Sequence, residues 1–176
     1  MLLQAADYNH RMSTELHRKT APASVRCFVL TISDTRTPDD DRSGDAIAAL
    51  LQEAGHSLSG RALVNDDPQA VRDAIAAAAG DTQVVITTGG TGITSRDSTY
   101  EAIAALLDKR LDGFGELFRM LSFQEIGSAA MLSRAVGGTV KRTAVFALPG
   151  SEHAVRLAMT RLILPEIGHV VRELQR

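Results

Sequence analysis

Runs of strand-forming residues recur along this chain, and each has the length of a single β-strand. They cover residues 27–32, 83–88 and 143–148, and a further short strand is predicted over 58–64. Continuous Val/Ile-rich runs are typical of strands that are buried on both faces, as in the middle of a parallel sheet. The pattern therefore predicts a sheet in which most neighbouring strands are parallel.

Helical periodicity fills the first intervals between these strands. Apolar positions step by three and one from residue 47 to residue 54, and Gly55 follows as a typical helix end. Pro68 suits the first turn of a second helix, for which Asp66 or Asp67 would serve as the N-cap.

The same alternation continues toward the carboxyl end. Ser98 and Glu101 have the spacing of a helix capping box in front of a third helix. Residues 111–115 are predicted to form a turn and residues 116–126 a helix. The chain beyond residue 150 is predicted to be helical, with Pro165 dividing it into two pieces.

Strands thus alternate with helices from residue 25 onward, which predicts an α/β fold. Its sheet would be doubly wound and mostly parallel, with helices on both faces. We expect residues 25–176 to form a single domain and residues 1–24 to precede it as an arm. That arm either moves freely or contacts another subunit.

The stretch directly after the predicted strand 83–88 is the most distinctive in the chain. Gly89, Gly90, Thr91 and Gly92 follow Thr88 there. Glycine-rich backbone can bring its N–H groups close to an anion, because no Cβ atoms stand in the way. A strand, a glycine loop and a helix start in this order indicate a phosphate cradle, and a simple tight turn is the alternative.

Composition narrows the class of protein. The 176 residues include 19 Lys and Arg against 21 Asp and Glu, so no general attraction to nucleic acid or to an anionic membrane is expected. No apolar stretch approaches the roughly 20 residues that span a bilayer, and the first residues do not form a secretory signal. A cytoplasmic protein is expected. Cys27, the single cysteine, is predicted to be a small buried apolar residue.

Acidic residues gather where the sheet would bind a ligand. In open parallel sheets, ligands bind beyond the carboxyl ends of the strands. The residues predicted to leave the strands at that edge are Ser33, Asp34, Asp66, Asp67 and those of segments 87–97 and 148–151.

Carboxylates and a phosphate at one edge would repel each other. Two carboxylates about 4 Å apart repel by about 4 kcal/mol at an intermediate dielectric constant. A Mg²⁺ ion removes this conflict, because it is held by one or two carboxylates together with substrate phosphates. The alternative is that these acids are helix caps and solvated loop charges. A Walker phosphate loop, a zinc-ligand spacing and a Gly-x-Ser-x-Gly nucleophile motif are all missing from the sequence.

Several ordered motifs together resemble the MoaB/MogA family of molybdenum cofactor biosynthesis proteins, most closely its MoaB branch. The similarity runs from about residue 25 to the carboxyl end. It is carried by the segments 32–34, 41–44, 87–92, 96–97, 113–116, 132–135 and 148–151.

The resemblance implies a molybdopterin-binding fold that assembles as trimers or hexamers. In active members the terminal phosphate of molybdopterin attacks the α-phosphate of ATP, Mg²⁺ is required, and the products are adenylylated molybdopterin and pyrophosphate. Such a transfer needs positioning and charge neutralisation more than acid–base chemistry.

The family motifs assign roles to individual positions. Asp66 and Asp97 match two essential aspartates, which we expect to hold the metal and orient the reacting phosphates. Arg96 would pair with a phosphate or with a neighbouring acid. The positions that match ligand contacts are Ser33 and Asp34 in the first-strand loop, Thr88, Gly89, Gly90, Thr91 and Gly92 in the phosphate loop, and Ser133, Pro149, Gly150 and Ser151 on the pterin side.

Two hypotheses of different classes remain at this point. The first is an enzyme, a molybdopterin adenylyltransferase with ATP as co-substrate. The second is a binding or scaffold protein of the same pathway that holds molybdopterin without transferring AMP. Retention of Asp66 and Asp97 favours the enzyme, because a pure binder has little use for two carboxylates at a phosphate site. A nucleotide-binding regulator unrelated to molybdopterin is a third possibility.

Overall fold

The chain forms one mixed sheet covered by helices in the computed structural model, which describes residues 20–94 and 97–176. The strands are β1 (Arg26–Ile32), β2 (Ser57–Val64), β3 (Val84–Thr88), β4 (Lys109–Arg110), β5 (Val136–Val140) and β6 (Thr143–Leu148). The α-helices are α1 (Arg42–Glu53), α2 (Pro68–Ala78), α3 (Thr99–Leu106), α4 (Asp112–Ile126), α5 (Glu152–Ala158) and α6 (Leu164–Leu174). A 3₁₀ segment, Gly127–Leu132, follows α4, and a π-helical segment, Met159–Ile163, joins α5 to α6.

The sheet has the strand order β2-β1-β3-β6-β5-β4. Neighbours from β2 to β6 are parallel, whereas β5 and β4 join the edge in antiparallel fashion. The predicted doubly wound, mostly parallel α/β sheet is therefore confirmed. Its parallel part brings the carboxyl ends of β1, β2, β3 and β6 to one edge, and the chain leaves those strands there in its loops.

Successive residues of the central strands face opposite sides, and both sides are buried. Val29 and Ile86 belong to one apolar cluster, which also holds Ile47, Phe118 and Ile167 of α1, α4 and α6. The adjacent residues Leu30 and Val85 belong to the other cluster, which helices α2 and α3 cover. Burial on both faces explains why these strands have no alternating polar positions.

The antiparallel strand β5 was not predicted, because its sequence contains the pair Gly137-Gly138. A Cβ at Gly137 would lie 3.1 Å from the rings of both Phe114 and Phe146, and one at Gly138 would crowd the carbonyl of Lys109. The glycines therefore let α4 and β4 approach the strand closely, a use that a sequence cannot distinguish from a turn.

The predicted turn over residues 111–115 is wrong, because α4 begins at Asp112. Phe114 points into the core from the first turn of that helix, with its ring centroid 5.0 Å from that of Phe146. Gly115 allows close packing, since a Cβ there would lie 2.8 Å from the carbonyl oxygen of Ala135.

The neighbouring aspartates Asp66 and Asp67 have different roles, because only Asp67 caps a helix. Asp67 is the N-cap of α2, and its carboxylate accepts hydrogen bonds from the N–H groups of Gln69 and Ala70 at 3.1 and 2.8 Å. Asp66 is thereby left for another role. The predicted capping box of α3 does not form, because the Ser98 side chain makes no cap hydrogen bond and Glu101 pairs with Arg134 instead.

Two parts of the predicted organisation fall outside the described residues. These are the arm up to residue 19 and the Ser95-Arg96 pair of the glycine-rich segment. Among the helices in the described ranges, none has the length and apolar character to cross a membrane.

Cys27 is completely buried in β1, and desolvation raises the pKa of its thiol to about 12. Because the thiolate is the reactive form, the folded protein should resist alkylation from pH 7 to pH 9. We expect iodoacetamide to modify Cys27 only after unfolding in urea, as measured by mass spectrometry. Rapid modification of the native protein at pH 8 would contradict the burial of this side chain.

Candidate functional site

The glycine loop leaves β3 in a conformation that suits glycine. Gly89 and Gly90 have φ angles of +103° and +62°, in the left-handed region that other residues rarely adopt. The N–H of Gly89 donates to the carbonyl of Leu148 at 3.1 Å, which ties the loop to the end of β6. The start of the loop is therefore fixed by the sheet.

Each of the two predicted catalytic carboxylates lies against one glycine of this loop. A Cβ at Gly90 would be 2.7 Å from Oδ2 of Asp66, and one at Gly92 would be 2.5 Å from Oδ2 of Asp97. The glycines therefore make room for the two aspartates, which approach the loop from the end of β2 and from the turn before α3.

A cavity of about 420 Å³ opens beside the loop. It is lined by Ile32, Ser33, Thr35, Arg36, Gly89, Gly90, Thr91, Gly92, Asp97, Leu132, Pro149 and Gly150. Within residues 20–94 and 97–176, no acceptor takes a hydrogen bond from the N–H groups of Gly90, Thr91 or Gly92. Backbone donors without a protein partner at a cavity wall form a cradle for an anion.

Hydrogen bonds within the protein hold both carboxylates in place. Asp66 accepts from the Thr99 hydroxyl at 2.7 Å, and its own N–H donates to the Asp34 carboxylate at 3.0 Å. Asp97 accepts from the N–H and the hydroxyl of Thr94 at 2.8 and 2.6 Å. These contacts orient oxygen ligands of the kind that Mg²⁺ prefers.

Arg36 supplies a positive charge that the sequence reasoning missed. Its guanidinium donates to the carbonyl of Gly150 at 2.7 Å and to the hydroxyl of Ser43 at 2.5 Å. Its Nη1 atom lies 3.9 Å from the carboxylate oxygen Oδ1 of Asp41. Arg36 follows the Ser33-Asp34 pair at the end of β1, so a search of that edge for cations as well as acids would have found it.

Asp41 neutralises Arg36 only in part, because this carboxylate is shared with several other donors. This buried carboxylate accepts from the Thr31 hydroxyl at 2.6 Å and, as the N-cap of α1, from the N–H of Gly44 at 2.9 Å. It also pairs with Arg61 at 3.2 Å. The guanidinium of Arg36 therefore remains available to an anion in the cavity.

A second cavity of about 240 Å³ adjoins the first. It is lined by Ser122, Glu125, Ile126, Leu132, Ser133, Pro149, Ser151, His153, Ala154 and Leu157. Leu132 and Pro149 line both cavities, so one elongated ligand can extend from the glycine loop into the second cavity. Three residues predicted for the pterin side, Ser133, Pro149 and Ser151, lie here.

Hydrogen bonds within the protein hold three of the predicted contact residues, Thr88, Ser151 and Asp34, in place. Thr88 is buried, and its hydroxyl donates to the carbonyl of Pro149 at 3.1 Å. The Ser151 hydroxyl accepts from the N–H of Ala154 at 3.2 Å as the N-cap of α5. Asp34 lines neither cavity and instead holds the backbone of Asp66. These three residues position the neighbouring walls of the two cavities.

Arg134 joins the far end of the glycine loop to α3. One guanidinium nitrogen donates to the carbonyl of Gly92 at 2.9 Å, and another pairs with Glu101. The guanidinium carbon lies 4.2 Å from the ring centroid of Tyr100. Because Ser133 precedes it in the chain, Arg134 connects the walls of the two cavities.

Comparison with known proteins gives a consistent result. Residues 28–169 match the family described as "Probable molybdopterin binding domain". The chain is 55% identical over 168 residues to molybdenum cofactor biosynthesis protein B of Bacillus cereus, covering 94% of this chain and 99% of that protein. The corresponding protein of Bacillus subtilis is 50% identical over 168 residues, with the same coverage of both chains.

Solved structures resemble the fold closely. A crystal structure of molybdenum cofactor biosynthesis protein B superposes with a TM-score of 0.86 at 56% identity, covering 89% of this chain and 99% of that one. The tungsten cofactor synthesizing protein MoaB from Pyrococcus furiosus superposes with a TM-score of 0.80 at 37% identity, covering 89% and 100%.

Proposed function

The chain belongs to the MoaB/MogA family of probable molybdopterin-binding proteins, and we propose that it acts in molybdenum cofactor biosynthesis as a molybdopterin adenylyltransferase. In this reaction AMP passes from ATP to the terminal phosphate of molybdopterin. The observation that carries the proposal is the pair of adjoining cavities. One is walled by the glycine loop and Asp97, with Asp66 held against the same loop, and the other has apolar walls that suit a ring system.

The donor set at the glycine loop fits a Mg²⁺ ion that phosphates help to coordinate. The described residues contain no cluster of three His, Cys, Asp or Glu side chains that could hold a metal alone. Asp66 and Asp97 would supply two carboxylates, and substrate phosphates would supply further oxygens. When bound, Mg²⁺ would neutralise charge on the phosphates.

The residues of the chain would act by binding and orientation. The N–H groups of Gly90, Thr91 and Gly92, together with the guanidinium of Arg36, would bind phosphate oxygens that carry negative charge. A terminal phosphate oxygen of molybdopterin then forms a bond to the α-phosphorus of ATP. The bond from that phosphorus to the bridging oxygen breaks, and pyrophosphate leaves with the electron pair. Fixed donors of this type stabilise a phosphoryl-transfer transition state without an acid or base.

One observation supports the alternative of a binder without transferase activity. Asp66 already accepts a hydrogen bond from Thr99 and has its backbone tied to Asp34, so it has a structural role in shaping the loop. A protein that only stores or passes on molybdopterin could keep Asp66 for this purpose.

Formation of adenylylated molybdopterin distinguishes the two functions. The purified protein would be incubated with ATP, Mg²⁺ and molybdopterin, and adenylylated molybdopterin would be identified by mass spectrometry. Product that forms only when all three are present supports the transferase. Tight binding of molybdopterin with no product would establish the binder.

We expect Arg36→Ala to raise the KM for ATP about tenfold, because a charge-assisted contact to a phosphate is lost. Steady-state kinetics of AMP transfer would measure the change. Arg72→Ala is the matched control, since Arg72 lies half-buried on α2, contacts Gln69 and lines neither cavity. An unchanged KM in Arg36→Ala would remove this residue from the phosphate site.

We also propose that the chain assembles as a homotrimer or homohexamer. Helix α4 exposes the large apolar side chains of Leu117, Met120 and Phe123, of which Phe123 is 62% exposed. Side chains of this size clustered on one helix are typical of a surface that another subunit covers.

Light scattering tests the assembly. We expect the wild-type protein to have the mass of three or six chains and Phe123→Glu to shift it toward the monomer, because burying an unpaired carboxylate is costly. Gln124→Glu, at the next position of the same helix, should leave the mass unchanged. A monomeric wild-type protein would contradict the proposal.

A further inference from the structure

The second cavity has an acidic group that neither the sequence motifs nor the proposed reaction uses. Glu125, near the end of α4, and His153, in the first turn of α5, both line it. Nε2 of His153 lies 2.6 Å from Oε2 of Glu125. An ionised carboxylate only accepts hydrogen bonds, so His153 is the donor. The histidine therefore fixes the orientation of the carboxylate at the cavity wall.

The two cavities differ in their polar groups. The first presents the loop N–H groups and the guanidinium of Arg36, which attract phosphate, beside the carboxylate of Asp97. Among the described residues that line the second cavity there is no lysine or arginine, and Glu125 repels anions. A ligand that extends through both would therefore place its phosphates at the glycine loop and a group rich in N–H donors beside Glu125.

We propose that Glu125, held by His153, accepts the N–H groups of the amino-amide edge of the pterin ring and so determines ring specificity. This inference rests on the pterin ligand of the proposed function and not on AMP transfer. A 2-amino-4-oxopterin carries an exocyclic amine next to a ring N–H, and two parallel donors match the two oxygens of a carboxylate. Ile126, Leu132 and Leu157 supply apolar walls for the flat ring.

The same geometry discriminates against a related ring. Lumazine has a carbonyl oxygen where pterin has the amine, so it would place an acceptor against the Glu125 carboxylate. The Glu125 side chain is 37% exposed, and an ionised carboxylate can only accept hydrogen bonds, so lumazine loses a contact that pterin makes and places two acceptors against each other. We therefore expect the wild-type protein to bind pterin at least about tenfold more tightly than lumazine.

Replacement of one carboxylate oxygen of Glu125 by an amide NH2 group, in Glu125→Gln, tests the proposal. The probes are free pterin and free lumazine, and the measurement is the ratio of their dissociation constants by saturation-transfer NMR titration. In Glu125→Gln we expect the ratio to fall to about one or to invert, because the glutamine amide can donate to the lumazine oxygen. Glu152→Gln is the control, since Glu152 pairs with Arg156 on α5 and lies outside the cavity.

His153→Asn should weaken the binding of pterin, but the protein should still bind pterin more tightly than lumazine, as expected when a positioning residue is removed.

If Glu125 and His153 formed only a structural ion pair, Glu125→Gln would lower the Tm and leave the ratio of dissociation constants unchanged. That result would overturn the proposal. So would a wild-type protein that binds neither ring. This test does not depend on the transferase reaction, because the ratio of the two dissociation constants is measured without ATP. If the protein transfers AMP but Glu125→Gln has the wild-type ratio, only the role of Glu125 is overturned.

Discussion

Asp97→Asn is expected to lower the rate of AMP transfer about a thousandfold, which corresponds to about 4 kcal/mol of transition-state stabilisation. Asp97 lies against Gly92 in the wall of the first cavity, where phosphate charge would collect. Asparagine has nearly the same shape and still offers an oxygen to the Thr94 donors, so the loop should keep its fold. What it lacks is the negative charge with which a carboxylate binds Mg²⁺.

The rate would be measured as pyrophosphate release at saturating ATP and molybdopterin. Molybdopterin binding should be preserved, because the second cavity is untouched. Asp67→Asn is the matched control, since asparagine can still cap α2 and Asp67 lines neither cavity. A transfer rate of Asp97→Asn within about threefold of wild type would mean that Asp97 only shapes the loop.

The fold was predictable where the hydrophobic pattern has one structural interpretation. Strands such as β1 and β3 are apolar on both faces because helices cover both faces, and no other element of that length has the same pattern. The pair Gly137-Gly138 has two interpretations, and the one that holds depends on Phe114, which approaches from another part of the chain. Sequence patterns carry no information on that approach.

The same limit applies to the helix starts. Ser98 and Glu101 have the spacing of a capping box, but Arg134 lies close enough to pair with Glu101. An ion pair made across 33 residues replaces the local hydrogen bond. By contrast, Pro68 and Asp67 behave as the local sequence predicts, since within residues 20–94 and 97–176 the Asp67 carboxylate accepts hydrogen bonds only from the first turn of α2.

The glycine loop and the aspartates beside it were predictable because parallel strands bring their carboxyl ends to one edge. That rule places Asp66 and Gly90 together without any knowledge of side-chain packing. Glu125 and His153 follow no such rule, because they lie on two helices whose ends meet only in the folded chain. Arg36 was missed for a different reason, since it lies at the correct edge but outside segment 32–34, on which the resemblance rests.

Gly90→Ala is expected to reduce AMP transfer about a hundredfold while the protein remains folded. The φ angle of +62° costs a residue with a Cβ about 1–2 kcal/mol. The added Cβ would also lie 2.7 Å from Oδ2 of Asp66 and against the Thr99 side chain. Relief of that contact requires the loop or the carboxylate to move, and either movement separates the phosphate donors from Asp66.

The matched control is Gly113→Ala, because Gly113 lies in the first turn of α4 with no atom within 4 Å of an added Cβ. We expect that change to preserve transfer and to stabilise the helix by about 0.5–1 kcal/mol. The two variants would be compared by pyrophosphate release and by thermal unfolding, where Gly90→Ala should lower the Tm by roughly 2–8 °C. Full activity in Gly90→Ala with the lowered Tm would show that the loop is a turn that tolerates displacement. Loss of activity with a nearly wild-type Tm would instead show that Gly90 matters for phosphate binding and not for folding. Only the bound anion requires the loop N–H groups and Asp66 to stay together.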